Sequence, residues 1–167
     1  MRGTMRGSVL FLSGLIVGAG LMASVAAQGS LDRGVRLNHV GISVPNFQET
    51  VSFYEKVMGF RVSHRFAPNP DGRPGTAFVQ ISRDTFIEIA PAQPDAKPAI
   101  THIGIGADNI AATVARLKQN GGNPTEPRKS ENSGSILANI TDPAGIRTEL
   151  NEQPAGSMMR QSLDSWK

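Results

Sequence analysis

Residues Leu37–Val44, LNHVGISV, return 63 residues later as Ile100–Gly106, ITHIGIG. Both copies have the apolar/small alternation of a strand. His39, Gly41 and Ser43 share one face of the first copy, and Val40, Ile42 and Val44 the other. In the second copy His102, Gly104 and Gly106 oppose Ile103 and Ile105. One face is fit for a core. The other carries a histidine among small neighbours, so it borders space that a ligand can occupy. The offset of 63 also aligns Asn46 with Asn109, Thr50 with Thr113, Val51 with Val114 and Gly59 with Gly122. Matches at one fixed offset point to a duplicated unit, which constrains the fold more than any single motif.

Outward from these strands, each copy runs into a helix and then three strands. In the first, Asn46 and Glu49 form a capping box. Phe47, Val51, Tyr54 and Met58 make the buried stripe, and Gly59 ends the helix. Strands are expected at Phe60–Phe66, Thr76–Ser82 and Thr85–Ala90, separated by the turn APNPDGRPG (Ala67–Gly75) and the tight turn Arg83-Asp84. In the second, Asp108 or Asn109 caps a helix carrying Ile110, Val114 and Leu117. A short strand near Asn123–Thr125, a polar loop Glu126–Gly134, and strands Ser135–Thr141 and Ile146–Asn151 around the turn DPAG complete it. The expected fold class is α+β: two βαβββ modules, residues 36–91 and 99–152, paired in a curved, mostly antiparallel sheet that forms a cleft. Residues 153–167 are a C-terminal appendage whose Met158, Met159 and Trp166 pack on the domain or on a partner subunit.

The first 27 residues read as a secretory signal peptide. Arg2 and Arg6 precede the apolar run Val9–Met22, and Val25-Ala26-Ala27 supplies small residues for cleavage. The apolar run is shorter than the ~20 residues of a spanning helix. The expectation is therefore a secreted or periplasmic protein with no stable membrane anchor after cleavage. Without Arg2 and Arg6 the formal charge falls from +3 to +1. That is no nucleic-acid footprint. With 0 cysteines, disulfides, thiolate chemistry and sulfur-built zinc sites are excluded.

The last strand of each module adds a carboxylate. Glu88 shares a face with Phe86 and Ala90, and Glu149 shares one with Arg147 and Asn151. Each unit thus offers a first-strand histidine and a last-strand glutamate. If each four-stranded sheet curls, these strands approach across its concave face, and two units side by side bring two imidazoles and two carboxylates together. That donor set suits a divalent cation of middling hardness: nickel, cobalt, iron, manganese or zinc. Arg147 is placed to meet a substrate anion or to pair with a nearby acid. His64, near Arg61 and Arg65, reads as a surface histidine, and Tyr54 as core.

These residues carry a resemblance. LNHVGISV, FQETVSFYEKVMGF, FIEIAP, ITHIGIGADN, LKQNGG and ITDPAGIRTELNE together resemble the vicinal oxygen chelate superfamily, and within it most closely bacterial glyoxalase I, from Leu37 to about Glu152. The resemblance implies paired βαβββ units and one divalent metal ion, with nickel or cobalt favoured. It assigns His39, Glu88, His102 and Glu149 as metal ligands. Two positions depart from it. Ser43 stands where glyoxalase I has an arginine, and Ala92 where it has an asparagine, residues that help hold glutathione. The expected function is an exported, metal-dependent lyase or isomerase of the carbon–sulfur lyase type. Its substrate is a small 2-oxo or α-hydroxycarbonyl compound reacting through an enediolate, with Glu149 and Glu88 catalytic. An extradiol-type dioxygenase, an epimerase and a non-catalytic binding module are the alternatives. A homodimer is expected, with family precedents for sites within one chain and for sites shared across two.

Overall fold

The computed structural model describes residues 34–167, so the signal-peptide reading of residues 1–27 lies outside the described residues. The chain forms β1 (Val35–Val44), α1 (Phe47–Ser52), β2 (Arg61–Arg65), β3 (Ala77–Ser82) and β4 (Thr85–Pro91). It then repeats the order as β5 (Ala99–Ala107), α2 (Ile110–Gln119), β6 (Arg128–Lys129), β7 (Ile136–Thr141) and β8 (Arg147–Glu152), and ends in α3 (Met158–Asp164). All strands join one 8-stranded sheet in the order β2-β3-β4-β1-β5-β8-β7-β6. The pairs β1–β4 and β5–β8 are parallel. The others are antiparallel, including β1–β5, which joins the modules. The α+β class and the paired modules hold.

Two helices cover one face of this sheet. Val44, Phe47, Val51, Ala77, Val79 and Ile89 form one core cluster beneath α1. Ile110, Val114, Ala138 and Leu150 form its counterpart beneath α2. Val44 and the partly buried Ile42 bring the even-numbered face of β1 to the first cluster, and Ile105, the repeat equivalent of Ile42, packs against the second. Each fully buried Val or Ile here is worth about 1.5–3 kcal/mol. Asn109, not Asp108, caps α2: its side chain accepts from Ala112 N. Glu152 Oε2 accepts from Ile110 N at 2.8 Å, tying the end of β8 to the start of α2. Asp108 instead pairs with Arg36.

Several local expectations are corrected. The Asn46 side chain makes no bond to the backbone of α1; its Nδ2 faces Glu49 Oε2 at 3.4 Å. The capping box is therefore incomplete. Past Ser52 the helix widens into a π-helical turn, Phe53–Val57. Widening adds a residue per turn and shifts the phase of the stripe. Met58 is consequently 48% exposed, while Tyr54 still packs against the cluster. Gly59 ends the segment at φ 71° as expected. The short strand lies at Arg128–Lys129, inside the expected polar loop, rather than at Asn123–Thr125. First and last strands of a module do not meet across a concave face, because they are hydrogen-bonded neighbours.

The appendage is the other departure. It folds as α3 on the face that α1 and α2 leave uncovered. Met159 and Leu163 are buried with Phe78 and Phe86, and Phe66 packs beside them. Arg61 of β2 anchors it, donating to Ser162 O at 2.9 Å and Ser165 O at 3.1 Å, and its guanidinium lies 5.7 Å from the Trp166 ring. Of the two expected docking places, the chain's own domain takes Met159.

Candidate metal centre

The central strands form a checkerboard. On β1–β5, His39 faces Gly104 and Gly41 faces His102. The outer neighbours complete it, since Gly41 also faces Glu88 on β4 and Gly104 faces Glu149 on β8. Each glycine thus stands between a histidine and a glutamate. The reason is steric. A Cβ on Gly41 would lie 2.0 Å from His102 Cε1, and one on Gly104 2.1 Å from His39 Cε1. The space left by each glycine is filled by the imidazole of the neighbouring strand, not by a ligand as the small-residue pattern suggested.

Two β-bulges finish the arrangement. On β1, Leu37 and His39 pair with Ile105 and Gly104, leaving Asn38 as the extra residue. On β5, His102 and Ile100 pair with Gly41 and Ile42, leaving Thr101 extra. Bulges re-aim side chains. Here each turns the residue before a histidine toward that histidine's Nδ1: Asn38 Oδ1 is 2.9 Å from His39 Nδ1, and Thr101 Oγ1 is 2.9 Å from His102 Nδ1. Alternation alone puts these two residues on the opposite face, so the sequence reading missed them. Their signal was their repeat-equivalent position, 63 residues apart.

His39, Glu88, His102 and Glu149 all come together within this one chain. One ligand atom from each lies within 4.8 Å of every other. The two Nε2 atoms are 2.9 Å apart. Glu88 Oε2 is 3.5 Å from His39 Nε2 and 3.6 Å from His102 Nε2, and Glu149 Oε1 is 3.7 Å from His39 Nε2. The imidazoles are buried, whereas the Glu88 and Glu149 side chains keep 23% and 13% exposure, so the carboxylates face the opening.

Hydrogen bonds set the tautomers. An amide oxygen only accepts, so His39 donates from Nδ1 to Asn38 and presents a lone pair at Nε2. Arg147 Nη2 donates to His102 Nδ1 at 2.7 Å. His102 then carries its proton on Nε2 and donates it to His39. A cation drawing on both Nε2 atoms needs the other His102 tautomer. Thr101 Oγ1 is in place to accept from Nδ1–H, and Arg147 has alternative partners in Asn139 Oδ1 at 2.9 Å and Glu149 at 3.6 Å. Oxygen partners on the remote nitrogens are what metal-binding histidines use. The donor set and its supports therefore fit a divalent ion.

The electrostatics separate the two carboxylates. Burial pushes Glu149 above the usual carboxylate range, and the negative charge of Glu88 adds to it. Burial also acts to raise Glu88, but His102, His39 and Arg147 outweigh it and hold Glu88 below its ordinary value. For His39, burial dominates over the attraction of Glu88 and lowers the pKa from 6.5 to about 4. A stability prediction arises here. The unfolded imidazole takes a proton below 6.5, and the folded one only below about 4. In that window the unfolded imidazole binds more protons than the folded one, so the His39 contribution to metal-free stability falls by roughly 3 kcal/mol as pH drops, offset in part by Glu149, whose raised carboxyl acts in the opposite direction. Urea midpoints of chelator-treated protein from neutral pH to about pH 4 check this. His39→Gln is expected to flatten the dependence, and an unchanged slope would assign it to other groups.

The carboxylates open onto a cavity of about 170 Å³, lined also by Phe66, Phe78, Ser133, Asn151 and Met159. Met159 comes from the appendage, a contribution the sequence reading did not foresee. Arg147 meets His102 and Glu149 rather than the cavity. Ser43 pairs with Ala90 and Ala99 near the end of β1, and Ala92 N donates to Val44 O at 2.8 Å. His64 lies edge-on to Phe66, ring centroids 5.0 Å apart, and is not among the converging residues.

Comparison with known proteins agrees with this architecture. Lactoylglutathione lyase of Salmonella typhimurium is 33% identical over 126 residues, spanning 71% of this chain and 93% of that protein. The Escherichia coli lactoylglutathione lyase is 31% identical over 127 residues, with the same coverage. Among solved structures, methylmalonyl-CoA epimerase from Mycobacterium tuberculosis superposes with a TM-score of 0.60 at 20% identity, covering 71% of this chain and 87% of that one. The model of the Glyoxalase/Bleomycin resistance protein/Dioxygenase superfamily matches residues 36–150. With two βαβββ modules joined through β1 and β5, and the paired histidines and glutamates at that junction, the chain belongs to this superfamily.

Proposed function

We propose that this chain is a metal-dependent lyase or isomerase of the glyoxalase I type, moving a proton next to the carbonyl of a small 2-oxo or α-hydroxycarbonyl substrate. The convergence of His39, Glu88, His102 and Glu149 on one point carries the reading. Two imidazoles and two carboxylates suit a borderline divalent ion, and nickel or cobalt is the expected occupant, ahead of zinc, manganese or iron. Bound there, the ion would act as a Lewis acid on the substrate's oxygens and acidify the adjacent C–H.

The protein groups then divide the work. Glu149, whose pKa is raised, takes the proton from one carbon and returns it to the next. Glu88, held low, stays ionised and serves as a ligand, with a lesser share in proton transfer. Two carboxylates pushed apart in pKa by their surroundings are the usual signature of divided acid–base roles. His39 and His102 form the floor. Phe78 and Met159 limit water at the cavity wall. Export and a homodimeric state belong to the same proposal and rest on the leader-like first 27 residues and on the family resemblance.

Nickel-loaded protein in deuterium oxide, given dihydroxyacetone or the methylglyoxal–glutathione adduct, tests the reading. Exchange of the C–H protons followed by NMR is the expected result with at least one of them. Tight nickel binding with no exchange in either would leave a binding module.

A further inference from the structure

The β1–β5 junction carries the metal centre on one face. On the other, three cross-strand pairs line up: Leu37 with Ile105, Val40 with Ile103 and Ile42 with Ile100. Directly opposed residues point to the same side, and Ile42 and Ile105 pack on the clusters beneath α1 and α2. All six aliphatic side chains therefore share the helix-bearing face. The two helices cover its flanks and leave its middle open. Ile100 is 74% exposed, Leu37 52% and Ile103 38%. A solvated face of an antiparallel pair ordinarily carries polar residues. These three pairs, spread over roughly 17 Å of strand, carry none. Contiguous apolar surface of this kind marks an interaction site.

The seam also repeats itself. The 63-residue offset carries Leu37 to Ile100, Val40 to Ile103 and Ile42 to Ile105. Because β1 and β5 are antiparallel, the half-turn that relates the modules exchanges these same six residues in pairs. The patch thus presents one aliphatic pattern from either end. A two-fold dimer needs a patch that matches its own copy, and here apolar meets apolar whichever way the second chain is turned. No seam residue is charged or bears a hydrogen-bonding side chain, so nothing in it selects a different partner by electrostatics. At one end Tyr54 and Pro98 join Ile42 and Ile100 around a cavity of about 320 Å³, which offers room for side chains of a facing copy.

We propose that this seam is the surface through which two copies of the chain join, helix-bearing face to helix-bearing face. This rests on the homodimeric state proposed above and locates its surface. His39, Glu88, His102 and Glu149 converge on the opposite side of the sheet, within one chain. Both cavities therefore stay open in such a dimer, and neither chain lends a ligand to the other's centre.

Sedimentation equilibrium of the full chain and of residues 28–167 tests this. Both are expected to form dimers at micromolar concentration. Ile100→Lys should weaken the dimer at least about 100-fold, because it puts like charges into an apolar contact. Ile146→Lys is the control, since Ile146 is 51% exposed and lies outside the seam. With 0 cysteines in the chain, a single Ile103→Cys treated with a short bismaleimide should give a covalent dimer, and Ile146→Cys should not. Should the lysine variant fail to fold by circular dichroism, the cross-link decides. A monomeric wild type overturns the homodimeric state and the seam together. A dimer that Ile100→Lys leaves intact, or that Ile103→Cys does not cross-link, overturns the seam alone. A dimer formed only with residues 1–27 present overturns it as well.

Discussion

Glu149→Gln is expected to lower proton exchange by about 10³-fold at saturating metal, within the ~10²–10⁴-fold range of general acid–base catalysis. Glutamine keeps the shape of the side chain but cannot carry the proton. The fold should survive, because β8 is held by backbone pairing to β5 and β7 and by burial of Leu150. Glu149 is singled out over Glu88 by its surroundings. Burial and a neighbouring carboxylate raise it, whereas Glu88 sits closer to the imidazoles and is held down. Far-ultraviolet circular dichroism and exchange rates measured together check this. Exchange within about tenfold of wild type would remove Glu149 from the proton-transfer role.

Gly104→Ala should disable the centre through sterics alone. The added methyl would lie 2.1 Å from both Cε1 and Nδ1 of His39. His39 is 0% exposed and lies edge-on to Phe78, ring centroids 6.3 Å apart. The ring must leave its place, breaking its bond to Asn38 and its alignment with His102. Loss of at least about 100-fold in divalent affinity is expected, since even outer-shell changes at metal sites cost up to that much. Overpacking adds about 1–3 kcal/mol of destabilisation. Gly106→Ala on the same strand is the control, because its nearest non-neighbour atom would be 3.4 Å away, at Arg36 Cγ. Isothermal titration with nickel separates the two variants. Equal affinities would mean that the glycines do not shape the site.

The features legible in the sequence were those governed by repetition and alternation. The 63-residue offset exposed the duplication, and a period of two put His39, Glu88, His102 and Glu149 on faces that the fold does bring together. What escaped depended on departures from regular geometry. Asn38 and Thr101 reach the imidazoles only because a bulge precedes each histidine. Met58 is exposed because a π-helical turn shifts the phase of its stripe. Placing first and last strands across a concave face failed because sequence order does not give sheet order. β4 and β8 return parallel to β1 and β5 at their sides. The docking of α3 was open in the sequence because Met159 and Leu163 are apolar enough for either a partner or the domain. Phe66, Phe78 and Phe86, which receive them, are far away in the chain.

The first measurement is the divalent metal content of residues 28–167, purified without added metal or chelator, beside a His39→Ala/His102→Ala variant. The expected result is about one ion per chain, lost in the variant along with the capacity to take up nickel or cobalt on titration. Wild-type protein that holds no ion and binds none on titration would contradict a metal centre at His39, Glu88, His102 and Glu149.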